Sequence, residues 1–224
     1  MNDRNSREEA VWRTKSTGVL PAIKLKQPSD LLPAAQAMLE GGIRVLEITM
    51  TTPGVLDTFR SIRAQFGDQL YLAAGTTLDA SAAYAAIMAG AKIIVSPAYI
   101  PEVIATAKRY GVACYAGAYT ATEVLQAMQA GADMVKIFPA ALAGPKYMTN
   151  LKMVYPEVNL IPSGGIDLVS GAEFIRCGAC AISGARNFYD AEQVAQHGVG
   201  WITQQAQKYI QLVSEAKATA YPLP

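Results

Sequence analysis

Lys136 stands in the run DMVKIFP and Glu47 in the run IRVLEIT, two short apolar stretches that otherwise read as buried strands. Strand side chains alternate in direction, so Met134, Lys136 and Phe138 share one face while Val135 and Ile137 take the other. The same period puts Val45, Glu47 and Thr49 together. Lysine is a poor strand former and is rarely buried without a role. An outward Lys136 lying beside a helix would turn Val135 and Ile137 inward and Phe138 out, so the inward reading is preferred. At the centre of an apolar sheet the ammonium loses its hydration, which favours the free amine. A free amine attacks ketones to give imines, whose protonated nitrogen withdraws electrons for making or breaking a carbon-carbon bond. A carboxylate near such a lysine suits proton transfer at the carbon next to the imine. The alternative role for Glu47 is a structural ion pair, with Lys136 or with Lys24, at a cost in desolvation.

Two glycine turns add a second kind of chemistry. PSGGI (162–166) and ISGAR (182–186) place Ser163, Gly164, Gly165, Ser183 and Gly184 just after strand-like runs, where exposed backbone amides can receive a phosphate. Helix N-termini after such turns add a favourable dipole. Other routes are short of residues. The single histidine, His197, cannot build a two- or three-imidazole metal site, and its polar surroundings, DAEQVAQHGVGW, read as a surface helix rather than part of a triad. Cys177 and Cys180 form a C-G-A-C without a second pair and are expected to be small core residues.

The elements that must hold these residues follow from one repeated unit: an Ala-rich helical stretch, a glycine, then a short apolar run. The glycines are Gly42, Gly67, Gly90, Gly111, Gly131 and Gly178, spaced 25, 23, 21, 20 and 47 residues apart, the last being a double unit. Eight strands result, at 19–25, 43–49, 70–76, 92–97, 112–117, 133–138, 158–163 and 179–184. Strands separated by helices pair in parallel, and eight such units in 224 residues close most naturally into a single (β/α)8 TIM barrel, an α/β fold. The competing open, doubly wound sheet needs a glycine-rich turn after the first strand, and LPAIKLKQPSD has none. Residues 1–17 are expected to form an extra N-terminal helix, 18–217 the barrel and 218–224 a loose C-terminal tail. In such a barrel the C-terminal ends of the strands carry the site, which is where Lys136, Glu47 and both glycine turns fall.

Composition agrees with a folded domain. Hydrophobic residues make up 51% and charged residues 17% of the chain, enough for a core. Nineteen basic residues against eighteen acidic ones give no field to attract nucleic acid or an anionic membrane. No apolar run reaches the roughly 20 residues that span a bilayer, and the start of the chain is polar, so a cytoplasmic protein is expected.

With these residues in place, the chain resembles the family of 2-keto-3-deoxy-6-phosphogluconate and 4-hydroxy-2-oxoglutarate aldolases. The likeness runs from about Gly18 to Ser214 and is carried by EGGIRVLEITMTTPG, AAGTTLD, IVSPAY, VKIFPA, PSGGI and ISGAR in that order. It implies a class I aldolase that needs no metal or other cofactor and cleaves a keto-acid substrate reversibly to pyruvate and an aldehyde. It further implies that Lys136 forms the imine, Glu47 relays protons, Thr76 holds the pyruvate end and Phe138 packs beside the imine. Ser163, Gly164, Gly165, Ser183 and Gly184 then hold the far end of the substrate. Where many members carry an arginine, at the end of strand one or just after the strand-two glutamate, this chain has Lys24 and Thr51. Strand five, which often ends in Pro-Gly in the family, reads Ala116-Gly117-Ala118-Tyr119 here, and Tyr119 is placed to narrow the mouth. The resemblance also implies a homotrimer. A phosphosugar isomerase or epimerase barrel, with Glu47 as base, is the alternative activity.

Overall fold

The computed structural model describes residues 5–24 and 30–221. Eight strands run β1 (Val19–Ile23), β2 (Val45–Thr49), β3 (Tyr71–Gly75), β4 (Ile93–Val95), β5 (Ala113–Ala118), β6 (Met134–Ile137), β7 (Leu160–Pro162) and β8 (Ile182–Gly184). Ahead of them lies α1 (Ser6–Thr17), and between them come α2 (Leu31–Glu40), α3 (Val55–Phe66), α4 (Ala80–Met88), α5 (Pro101–Arg109), α6 (Ala121–Ala130), α7 (Ala140–Ala143), α8 (Lys146–Val154) and α9 (Leu168–Arg176). After β8 follow α10 (Ala191–His197) and α11 (Gly200–Ala218).

Every ladder is parallel, in the order β7-β6-β5-β4-β3-β2-β1-β8. The two ends of that order meet through a parallel bridge between Ser163 and Ser183 and through the Cys180 amide, which donates to the Leu160 carbonyl at 3.0 Å. The sheet therefore comes round into a nearly closed barrel. All eight expected strands form. Most are shorter than their apolar runs because the outer residues of each run belong to the turns; Leu25, at the end of the first run, lies outside the described residues. The six glycines of the repeat all adopt positive φ at helix ends, as at Gly90 (111°) and Gly178 (101°), where a Cβ would be strained.

The period-2 pattern sorts the strand residues into two layers. Leu20, Val45, Tyr71, Ala73, Ile93, Val95, Ala113, Tyr115, Met134, Ile161 and Ala181 fill the barrel interior. Their neighbours, among them Leu46, Ile48, Val135 and Ile137, pack outward against the helices. The N-terminal helix closes the bottom. Asn5 caps it in a reciprocal box with Glu8, and Ala10 enters the interior cluster. Thr14, fully buried, pairs with the Tyr115 hydroxyl at 2.7 Å, and that phenol reaches the Ala10 carbonyl at 3.2 Å. Arg7 pairs with Asp133 at 2.7 Å, tying the helix to the turn before β6. Residues 1–4 of the expected helix are outside the described residues.

The expected loose tail is held where it is described: the Tyr221 amide donates to the Arg176 carbonyl at 3.1 Å and its phenol to Glu173 at 2.8 Å. No periodicity in the short run ATAYPLP signals these contacts, which depend on where α9 ends. Residues 222–224 are outside the described residues. His197 is exposed at the end of α10. Cys177 is buried and Cys180 half-buried, both as free thiols. Burial pushes the Cys180 thiol up to about 11, away from redox reactivity. No helix of the described residues is long and apolar enough to cross a membrane.

Candidate active site

β2 and β6 stand on opposite sides of the barrel, four ladders apart, yet their inward side chains meet. Lys136 Nζ donates to Glu47 Oε1 at 3.0 Å and lies 3.3 Å from Oε2. Glu47 is 1% exposed and Lys136 7%. Mutual attraction offsets the cost of taking both charges out of water, which neither would bear alone. Space for the carboxylate comes from β3: a Cβ on Gly75 would fall 2.2 Å from Glu47 Oε1. Gly117 on β5 does the same for the end of β4, since its Cβ would meet the Pro97 backbone at 2.1 Å.

Above the pair opens a cavity of about 410 Å³. Glu47, Lys136, Thr49, Thr76 and Pro97 line its floor and one wall; Phe138, Ser163, Gly164, Gly165 and Ile166 line another. Ala22 and Lys24 approach from β1, and Gly184, Ala185, Arg186 and Asn187 from the turn after β8. Thr76 has φ of 56°, and among the described residues it is the single non-glycine with positive φ. A β-branched residue pays for that conformation in strain, typically on the order of 1–3 kcal/mol. Its neighbour anchors it: Thr77 is fully buried, donating its hydroxyl to the Ala74 carbonyl at 2.9 Å and its amide to Val95 at 3.1 Å.

The β7 turn leaves two amides open. Gly164 and Gly165 have φ of 87° and 75°, and their amides donate to no protein backbone acceptor among the described residues. The carbonyls of Ser163 and Gly164 instead receive the amides of Ala140 and Ala141, which fixes the turn against α7. A Cβ on Gly164 would come within 2.9 Å of the Phe138 ring, so glycine lets that ring lie across the turn.

The cavity thus gathers Lys136, Glu47, Thr76, Lys24, Phe138, Ser163, Gly164, Gly165 and Gly184. Two residues from the sequence reading lie apart from its lining. Thr51 sits beyond the end of β2, its hydroxyl 3.0 Å from that of Thr49. Ser183 pairs in register with Leu20 and is fully buried beneath the lining, its hydroxyl without a hydrogen-bond partner among the described residues. Tyr119 does not narrow the mouth: its ring packs against Tyr147, centroids 6.4 Å apart, and its carbonyl receives the Tyr147 hydroxyl. Arg186 and Asn187 escaped the sequence reading. The signal was present, since a basic residue two places after a strand-end glycine falls on the catalytic face of a barrel.

Comparison with known proteins bears on this arrangement. Residues 11–205 match the model of the KDPG and KHG aldolase family. A 2-dehydro-3-deoxy-phosphogluconate aldolase of Treponema pallidum is 34% identical over 206 residues, covering 92% of this chain and 96% of its own. A 2-dehydro-3-deoxy-6-phosphogalactonate aldolase of Escherichia coli is 31% identical, covering 92% and 98%. Among solved structures, a KDPG aldolase of Legionella pneumophila, with pyruvate captured as a covalent carbinolamine, superposes with a TM-score of 0.82 at 26% identity, covering 89% of this chain and 97% of its own. Sequence and barrel agree: the chain belongs to the KDPG and KHG aldolase family and is a lyase.

Proposed function

We propose that the protein cleaves, reversibly, a 2-keto-3-deoxy sugar acid phosphate such as 2-keto-3-deoxy-6-phosphogluconate, or 4-hydroxy-2-oxoglutarate, through an imine on Lys136. The observation that carries this reading is the buried contact between Lys136 Nζ and the Glu47 carboxylate at the floor of the cavity. Proton transfer across that contact leaves a neutral amine beside a carboxylic acid. The amine attacks the substrate ketone to give a carbinolamine; the Glu47 acid protonates its hydroxyl, water leaves, and the protonated imine forms beside the Glu47 carboxylate. Glu47, as carboxylate, then takes the proton of the substrate C4 hydroxyl. The C3–C4 bond breaks, its electron pair moves into the imine and the aldehyde leaves. Protonation of the resulting enamine carbon and addition of water release pyruvate and restore the amine. Thr76 is suited to the pyruvate carboxylate, and the free amides of Gly164 and Gly165 to the distal anion. The named activities of the relatives support the substrate class.

The test is reduction with borohydride in the presence of pyruvate. A covalent adduct on the peptide carrying Lys136 is expected by mass spectrometry, and Lys136→Ala removes both adduct and cleavage. Absence of the adduct, with isomerase or epimerase activity on a phosphosugar that survives borohydride treatment with pyruvate, would favour the alternative reading, with Glu47 as a simple base. The assembly we propose is a homotrimer. Support comes from the exposed Tyr84 and Tyr110 on α4 and at the end of α5, rings 5.3 Å apart and near exposed Met88. A solved cage designed by fusing symmetric oligomeric domains also superposes with a TM-score of 0.82 at 29% identity, covering 89% of this chain and 73% of its own. Light scattering giving one chain mass would overturn the trimer.

A further inference from the structure

The turn after β8 holds one cation among residues that are otherwise fixed in place. Asn187 donates to the Ile166 carbonyl in the β7 turn and to the Tyr209 hydroxyl on α11. Phe188 is buried against the Tyr209 ring, centroids 4.6 Å apart, and Gly184 leaves room for it. Arg186, between the end of β8 and these anchors, borders the cavity with its side chain 84% exposed. Its partner is Asp190, 3.2 Å from Nη2. Asp190 also accepts the amides of Gln193 and Glu192 at the start of α10, and the Gln193 contact above all holds its carboxyl below the usual range. Asp190 is only 17% exposed, but the arginine end stands in solvent, so the guanidinium can leave this pair for a better anion.

Resting on the aldolase reading above, we propose that Arg186 is the specificity-determining residue of this enzyme, selecting substrates whose end distal to the keto group is a phosphate rather than a hydroxyl. The guanidinium offers a planar fork of donors, and the amides of Gly164 and Gly165 line the same cavity. Together they offer donors in several directions, which suits the tetrahedral spread of the three terminal oxygens of a phosphate monoester; a distal hydroxyl engages few of them and brings no charge. Asp190 parks the arginine when the cavity is empty, and the fixed backbone on either side keeps it at the rim.

The experiment compares kcat/KM for 2-keto-3-deoxy-6-phosphogluconate and for unphosphorylated 2-keto-3-deoxygluconate in the full chain and in Arg186→Gln, Arg186→Lys and Lys24→Gln. The ratio of the two constants is expected to fall roughly 10- to 100-fold in Arg186→Gln, as loss of a charge-assisted contact predicts. The loss is expected in KM more than in kcat, with partial recovery in Arg186→Lys. An unchanged ratio in Arg186→Gln, an equal loss for both substrates, or a fall confined to Lys24→Gln overturns the proposal. The underlying reading fails separately, by absence of a pyruvate adduct in the unaltered protein.

Discussion

The two ends of this barrel treat buried polar groups in opposite ways. At the bottom, Thr14, Tyr115 and the Ala10 carbonyl form a closed set of hydrogen bonds inside the wall made by α1. Burial pushes the Tyr115 phenol far above its ordinary range, so it stays neutral and keeps its bonds. At the top, a lysine and a glutamate are buried together, a threonine is held in a left-handed conformation and two glycine amides are left without backbone acceptors among the described residues. The first arrangement lowers the free energy of the fold; the second leaves binding capacity and strain for a ligand to satisfy. One apolar interior, filled from Leu20 to Ala181, separates them.

Substitutions of opposite sign test that contrast, and Thr76 is the sharpest place to apply one. Thr76→Gly relieves the positive φ and removes the hydroxyl from the cavity. Stability is expected to rise by roughly 1 kcal/mol, the relief of strain being partly cancelled by the greater freedom of glycine in the unfolded chain. Meanwhile kcat/KM is expected to fall about 10- to 100-fold, the worth of one hydrogen bond to a carboxylate. Urea unfolding and steady-state kinetics on the same preparation decide it. Loss of both stability and activity would mean that the turn is structural, and the contrast between the ends would fail at its strongest point.

Tyr115→Phe applies the same logic at the bottom, with a smaller effect. The Thr14 hydroxyl keeps its bond to the Ala10 carbonyl at 3.0 Å, so only the phenol's share is lost. A cost of about 1 kcal/mol is expected, or a fall of roughly 2–4 °C in melting temperature for a chain of this size. Cleavage measured below that transition is expected to be unchanged. A variant that keeps its melting temperature but loses activity would show that the closed end reaches the site.

What could be read from the chain beforehand divides along the same line. Strand period and glycine spacing are local properties, so eight strands, the inward turn of Lys136 and Glu47 and the leading helix were all legible. Contacts made by tertiary packing were not. Ser183 lies on the same inner face as Leu20, and only the bridge to Ser163 at the β7–β8 seam explains why it is sealed beneath the cavity. Tyr119 looked like part of the mouth until Tyr147, 28 residues later, took its ring and carbonyl. Beyond its position in the chain, Arg186 carries no signal of its own, because an exposed arginine in a turn is ordinary and its place depends on how Asn187 and Phe188 are anchored.

The smallest expected effect lies beside the mouth, at the start of α6. The Glu123 carboxylate accepts the amides of Tyr119 and Thr120 at 2.9 and 2.8 Å and the Thr120 hydroxyl at 2.8 Å. Those contacts, the Tyr119 amide first, hold its carboxyl below the ordinary 4.5. A folded value below the unfolded one means that this contribution is complete above about pH 4.5 and is lost as pH falls through the folded value. Glu123→Gln keeps an acceptor oxygen but not the charge. Its melting temperature is therefore expected to fall less steeply than that of the unaltered protein on acidification below that point, and to lie slightly lower at neutral pH. Parallel curves for the two proteins would mean that the carboxylate adds nothing beyond its shape. The cap at the mouth would then stabilise in the same uncharged way as the Thr14–Tyr115 set below it, and the electrostatic part of the contrast would rest on the cavity alone.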